Sequence, residues 1–233
     1  MSSEPPIGAP VPNWTTRPRP PRSVIQGRFC RLEPLSPADH ADSLFDANAL
    51  DCEGRMFTYL FGGPYGSRAE YRAYLEKCSL SEDPLFFAIV DASLERATGL
   101  GSYLRIDPPH GVIEVGHLAF SPLLQRTAAA TEAMYLMMRQ AFELGYRRYE
   151  WKCDSLNAAS RRAAQRLGFT FEGIFRQASV YKGRNRDTAW YAIIDRDWPA
   201  IDAEFRRWLA PENFDSQRVQ RTALQNGVPK TSR

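Results

Sequence analysis

The stretch Glu114-Val-Gly-His-Leu-Ala-Phe-Ser-Pro-Leu-Leu-Gln-Arg-Thr-Ala-Ala-Ala-Thr-Glu-Ala133 decides how this chain is read. Its first part belongs to the apolar run Val112–Phe120, which predicts a strand. Ser121–Thr127 predicts a loop, and Ala128–Leu144 a long helix with Met134, Met137, Met138 and Ala141 at helical spacing. Gly145 stops it. A helix start carries unpaired N–H groups and a partial positive charge, so it can hold a phosphate or pyrophosphate. Arg126, in the loop, adds a full charge. Every strand-to-helix turn shares the free N–H groups, so this feature alone does not define a site.

Working outward, Arg148–Asp154 reads as the next strand, and the step to it through the long helix reads as a parallel crossover. Asn157 caps a short helix, Ala158–Leu167, which Gly168 ends. Phe169–Val180 and Thr188–Asp195 predict a strand pair across a polar turn, Lys182–Asp187. Upstream, Gly27–Leu35, Leu85–Asp91 and Thr98–Ile106 predict strands. Ser36-Pro37 and the capping box Ser67-Arg-Ala-Glu70 open two helices. Trp198–Leu209 closes as an amphipathic helix. This order predicts a single α/β (α+β) domain over residues 27–209. Residues 1–26 hold seven of the 17 prolines and read as an extended arm, either solvated or lying across the body or a neighbouring subunit. Residues 210–233 have little apolar content and read as a flexible tail.

Composition narrows the functional classes. With 43% hydrophobic and 24% charged residues in 233, the chain reads as globular. No apolar run is long enough for a membrane span, and no secretory signal is seen, so a cytoplasmic location is expected. The net charge of +3, spread over many elements, does not argue for nucleic acid. Cys30, Cys52, Cys78 and Cys153 form no CxxC pair, so no metal site is expected.

Two segments together resemble the GNAT superfamily of acyl-CoA-dependent N-acetyltransferases. Gln125-Arg-Thr-Ala128-Ala-Ala130, followed by Thr131-Glu-Ala133, occupies the place of the family's pyrophosphate loop, Q/R-x-x-G-x-G/A. Asn157-x-x-Ser160, with Leu167-Gly-Phe169 and Phe171-Glu-Gly173, is similar to the branch containing the ribosomal-protein N-terminal (Rim-type) acetyltransferases. Gly183-Arg-Asn-Arg-Asp187-x-x-x-Tyr191 and Asp197-Trp198 resemble the same branch. The resemblance spans Gly27 to Trp198 and implies a GNAT-like domain with a mixed, mostly antiparallel, splayed sheet flanked by helices.

It further implies acetyl-CoA as co-substrate, held by Leu118, Ala119, Phe120, Gln125, Arg126, Thr127, Ala128, Ala129, Ala130, Thr131, Asn157 and Ser160. Ser160 would serve the leaving thiol, with Tyr181 as the fallback acid. The sequence departs from the pattern at Ala128, where the family prefers glycine, and at Ser179, where some Rim-type enzymes carry a glutamate.

With serine at 179, a base must come from elsewhere. Period-2 alternation places Glu114, Gly116, Leu118 and Phe120 on one face of their strand and His117 on the other. Glu114 is therefore the expected base, directly or through water, and His117 the expected packed histidine. Asp51, Glu53 and Asp187 are candidates to hold a cationic amine, and Phe57, Tyr59, Phe61 and Tyr65 to wall its pocket. The expected acceptor is a small-molecule amine or a peptide N-terminus. A homodimer would suit the arm and the exposed closing helix. The competing class is a GNAT-fold module that binds acyl-CoA or a partner without turnover.

Overall fold

A computed structural model describes residues 5–217 and 219–225. Eight strands form one sheet: β1 (Ile25–Gln26), β2 (Cys30–Pro34), β3 (Leu85–Asp91), β4 (Arg96–Asp107), β5 (Val112–Phe120), β6 (Arg148–Asp154), β7 (Thr170–Tyr181) and β8 (Arg184–Ile194). The spatial order is β1-β2-β3-β4-β5-β6-β8-β7, and among the described residues only β5 and β6 run parallel. Helices α1 (Pro37–Ala49) and α2 (Arg68–Leu80) cover one face. Helices α3 (Ala128–Glu143), α4 (Ala158–Arg166) and α5 (Trp198–Leu209) cover the other. Among the described residues no helix is long and apolar enough to cross a membrane.

The predicted helices form where their caps stand. Ser67 Oγ accepts the Glu70 N–H, and Glu70 answers by accepting the Gly66 N–H. Thr127 Oγ1 accepts the Ala130 N–H and starts α3. Asn157 Oδ1 accepts the Ser160 N–H and starts α4.

Four local expectations change. The strand predicted over Gly27–Leu35 is broken by a turn at Gly27–Phe29. The buried Glu132 carboxylate of α3 accepts the N–H groups of Arg28, Phe29 and Cys30 there. A Cβ at Gly27 would lie 2.6 Å from a Glu132 oxygen, so only glycine fits. The polar turn expected at Lys182–Asp187 shortens to Lys182-Gly183, because Arg184–Arg186 pairs with β7 and Asp187 continues the strand. Of the tail expected over residues 210–233, residues 210–217 and 219–225 are described and partly pack on the body, and residues 218 and 226–233 lie outside the described residues. Phe214 is buried, its ring 4.7 Å from Phe29 and 5.2 Å from Trp208. Asn213 donates to the Trp208 carbonyl and accepts the Thr222 N–H. One aromatic anchor and one amide hold a segment otherwise poor in apolar residues.

The fourth change governs the site. Ser102 of β4 pairs with Gly116, but Leu100 pairs with Ala119, so β5 carries one extra residue there. His117 takes that place with φ +49. Such a bulge reverses the alternation beyond it. Ile113 and Val115 enter the core under α3, whereas Ala119 enters the core under α1 and α2. Leu118 and Phe120 therefore pack on the α3 side, away from Glu114. His117 instead turns to the α1–α2 side, against Phe86 and Ser102.

The proline-rich arm lies on the body. Trp14 donates to the Pro109 carbonyl at 2.8 Å and covers Gly111, while Arg19 and Arg22 donate to carbonyls at the end of α2 and just beyond it.

Candidate active site

Strands β5 and β6 pair only from Val112–Arg148 to Val115–Trp151. Past that point β5 stays with β4 and β6 stays with β8, so the two parallel strands part. A cleft of about 1610 Å³ opens at their carboxyl ends. It reaches both faces of the sheet, since Phe120 and Met134 line it from the α3 side and Glu114, Lys152 and Trp190 from the other. Two helix N-termini, those of α3 and α4, begin beside it.

At the α3 end the cleft is lined by Gln125, Arg126, Thr127, Ala128, Ala129, Ala130 and Thr131. The first-turn N–H groups of an α-helix have no intrahelical acceptor, and they carry the positive end of its dipole. Arg126 stands just before them in the left-handed region, φ +63. Ala128 lines the cleft yet packs its methyl against the core, which leaves the helix start intact. Gln125 donates to the Phe120 carbonyl at 2.7 Å and so holds the loop onto β5. Arg162 and Arg166 of α4 also line this end, and neither has a carboxylate partner among the described residues. Arg166 donates to Thr131 Oγ1 at 3.2 Å. A helix start and three guanidinium groups without a carboxylate partner among the described residues suit a polyanion such as the phosphates of coenzyme A. Arg162 and Arg166 were not anticipated, because their convergence on α3 is a tertiary contact.

In the middle, Ser160 and Asn157 line the cleft at the start of α4. Trp151 Nε1 donates to Ser160 Oγ at 2.9 Å. Cys153 lies against the same hydroxyl, and burial raises its thiol pKa. Tyr181 is one side chain removed from the cleft. Its hydroxyl donates to Asp154 Oδ2 at 2.8 Å, and burial plus that carboxylate push its pKa up to about 12.

On the opposite face, Glu114 is 4% exposed. Its Oε2 accepts from Arg105 Nη1 at 2.7 Å and Lys152 Nζ at 2.9 Å. Lys152 continues to Glu150 at 2.7 Å, and Glu150 to Arg148 at 2.6 Å. The Lys152 ammonium also sits 3.7 Å from the centre of the Trp190 ring. His117 joins this face through the bulge. Its Nδ1 is 2.9 Å from Ser102 Oγ. Burial, aided by the Arg105 charge, lowers its pKa from the ordinary imidazole value.

The far end is walled by Asp51, Arg55, Tyr59 and Phe61, and across from them by Ser179 and Arg186. Phe57 and Tyr65, expected in this wall, pack edge to face with each other away from the cleft. Glu53 pairs with Arg55 outside it. Asp187 also lies outside, accepting the Gln177 N–H and the Asn185 amide, which lower its pKa. Among the described residues no group of three or more His, Cys, Asp or Glu is placed to hold a metal ion.

A parting pair of parallel strands, a capped helix start beside the gap and a through-sheet cleft define an acetyltransferase fold. An acetyltransferase (GNAT) domain model matches residues 30–170, and the chain belongs to that family. It is similar to a GCN5-related N-acetyltransferase from Brucella melitensis, at 51% identity over 92% of this chain and 97% of that one, TM-score 0.90. It is also similar to a probable GNAT-family acetyltransferase from Chromobacterium violaceum, at 40% identity over 84% and 100%, TM-score 0.77. A RimL ribosomal L7/L12 α-N-protein acetyltransferase in complex with coenzyme A shares the fold at 22% identity over 75% and 99%, TM-score 0.63. A comparison with curated proteins finds no match.

Proposed function

We propose that this protein transfers an acetyl group from acetyl-CoA to a primary amine by direct attack. The observation that carries the reading is the gap between β5 and β6, which joins a phosphate-suited helix start on one side to a polar pocket on the other. The thioester supplies the acyl group when the co-substrate is bound. Arg126, Arg162, Arg166 and the first turn of α3 would hold the phosphates, and Asn157 the arm. The open edge of β5 over Leu118–Phe120 would donate to the thioester oxygen as it gains charge.

The acceptor enters from the α1–α2 side, and its neutral nitrogen attacks the thioester carbon. Its proton passes to the Glu114 carboxylate through water. Oε2 is engaged by two cations, so Oε1, which faces Gly116, is the oxygen that receives it. His117 offers a second route, since the bulge brings it to the same face and its lowered pKa keeps the imidazole neutral near pH 7. Ser160 donates to the leaving sulfur. Its oxygen accepts from Trp151, so its own proton would turn from the neighbouring Cys153 sulfur to that of the leaving group. Tyr181, committed to Asp154, positions that carboxylate rather than supplying the proton.

The double ion pair at Glu114 favours one other reading, an acyl-CoA-binding module without turnover. Calorimetry with acetyl-CoA, followed by thiol release over a broad amine panel, separates the two. Binding that is lost in R126A/N157A, together with turnover, supports the enzyme. Binding without turnover supports the module, and no binding removes both.

A further inference from the structure

Resting on that reading, we infer that the acceptor carries a carboxylate and that Arg186 receives it. Arg186 lies on β8 on the acceptor face of the sheet, directly opposite Ser179 of β7. It is 9% exposed and lines the cleft. A guanidinium has five N–H donors. Only its Nε finds a protein acceptor, Thr188 Oγ1 at a long 3.3 Å. Among the described residues neither Nη nitrogen has a hydrogen-bond acceptor, and no carboxylate lies within 4.0 Å of the group.

The two Nη groups open into the cleft, where a carboxylate can replace water and take both at once. Among the described residues the other cations lining this side of the cleft are already paired. Arg105 and Lys152 hold Glu114, and Arg55 holds Glu53. Of the carboxylates at this end, Asp154 accepts from Tyr181 and from the Leu156 N–H, and Asp51 accepts the Met56 N–H. Among the described residues Arg186 is thus the cation lining the acceptor pocket whose fork is left open.

Its position is fixed as well as open. The guanidinium carbon is 5.1 Å from the centre of the Phe61 ring and 5.5 Å from that of Tyr181. Aromatic faces suit the flat, weakly hydrated guanidinium and hold it without consuming its in-plane donors. Those donors match a carboxylate bidentately. The cofactor phosphates are not the missing anion, because the α3 helix start lies on the other side of the sheet. The carboxylate can come from a free amino acid, whose α-carboxylate adjoins the amine, or from an acidic side chain behind a peptide N-terminus.

The test uses matched acceptors differing in one group: amino acids against their amides, and peptides with aspartate against asparagine in the second position. The wild type is expected to prefer the carboxylate member by about tenfold or more in kcat/KM. Arg186→Gln collapses that ratio, and Ser179→Glu, which supplies an internal partner, collapses it independently. Acetyl-CoA affinity should stay within about twofold in R186Q, well under the tenfold that 1.4 kcal/mol represents. Whichever pair shows the preference identifies the source of the carboxylate.

Equal turnover of both members, or a ratio unchanged in R186Q and S179E, overturns the inference while leaving the acetyltransferase reading standing. So does a large loss of acetyl-CoA affinity in R186Q. If no acceptor turns over, calorimetric titration of an N-acetyl amino acid onto the coenzyme A complex decides. Binding to the wild type that R186Q loses supports the carboxylate site, and no binding to the wild type ends it.

Discussion

Trp151 and Ser160 are joined across the β6–α4 corner by an indole N–H that donates to the serine hydroxyl at 2.9 Å. A hydroxyl that accepts one bond this way is turned so that its proton points elsewhere. The Asn157 cap fixes the Ser160 backbone at the same time. Ser160 is therefore held from both ends beside the cleft, unlike an ordinary first-turn serine.

That geometry yields the first prediction. Ser160→Ala should lower kcat by on the order of a hundredfold if the hydroxyl stabilises the leaving thiolate by a hydrogen bond, with little change in acetyl-CoA affinity. Trp151→Phe should give a smaller loss in the same direction, because it frees the hydroxyl to rotate. An acceptor-independent kcat measured for both variants checks this. A loss confined to KM for acetyl-CoA would make Ser160 a binding group only.

The charge ladder Arg105–Glu114–Lys152–Glu150–Arg148 supplies the second. Lys152 stands between two carboxylates, and all three side chains are under a tenth exposed. Lys152→Met leaves both acids without their shared cation, and a broken buried pair costs about 3–5 kcal/mol. Urea denaturation at neutral pH should show a loss of that order.

Glu150 adds a pH signature. Burial works to raise its pKa, but hydrogen bonds from Lys152 and Arg148 outweigh it and hold the folded value below the ordinary one. In acid the unfolded glutamate takes its proton first. The stabilisation is thus complete above the ordinary glutamate value and is lost as pH falls through the lowered folded value. Glu150→Gln should flatten that part of the acid stability curve.

His117 gives the third prediction. Its folded pKa is depressed, so between that value and the ordinary imidazole value the unfolded chain binds more protons. Stability therefore falls as pH drops through that window and is fully restored above it. His117→Asn should remove this slope, read as the difference between the two proteins' urea midpoints at several pH values. If the imidazole also takes the acceptor's proton, kcat of the variant falls and the acid limb of its pH profile moves. An unchanged profile assigns His117 to structure alone.

What could be read along the chain, and what could not, divides by range. The starts of α2 and α4 were legible because Ser67 and Asn157 cap residues only three positions away. The parallel step β5–α3–β6 was legible from the change of hydrophobic period. The face of His117 was not, since the bulge arises from the register of β5 against β4 and leaves no mark within β5 itself. The open fork of Arg186 was equally hidden. Whether a charge is paired depends on what β6, β7 and the Tyr59–Phe61 segment bring near it. Asp187 shows the converse: a plausible amine anchor in sequence, it is turned out of the cleft by its place next to Arg186 on the alternating strand.

Thr127 carries the last prediction. Its Oγ1 accepts the Ala130 N–H at 3.1 Å and donates to the Leu124 carbonyl at 2.7 Å. One hydroxyl thus ties the loop after β5 to the first turn of α3. Thr127→Val keeps the shape but removes both bonds, which should cost about 1 kcal/mol in stability. If the open N–H groups of this turn hold the phosphates, their alignment should suffer too, and acetyl-CoA affinity should fall by more than the stability loss explains. Thr127→Ser keeps the oxygen and should recover both. Calorimetric Kd values for the pair, compared at matched folded fractions, separate a phosphate cradle from an ordinary helix cap. A normal Kd in T127V would mean that the guanidinium groups of Arg126, Arg162 and Arg166 hold the polyanion without help from the helix start.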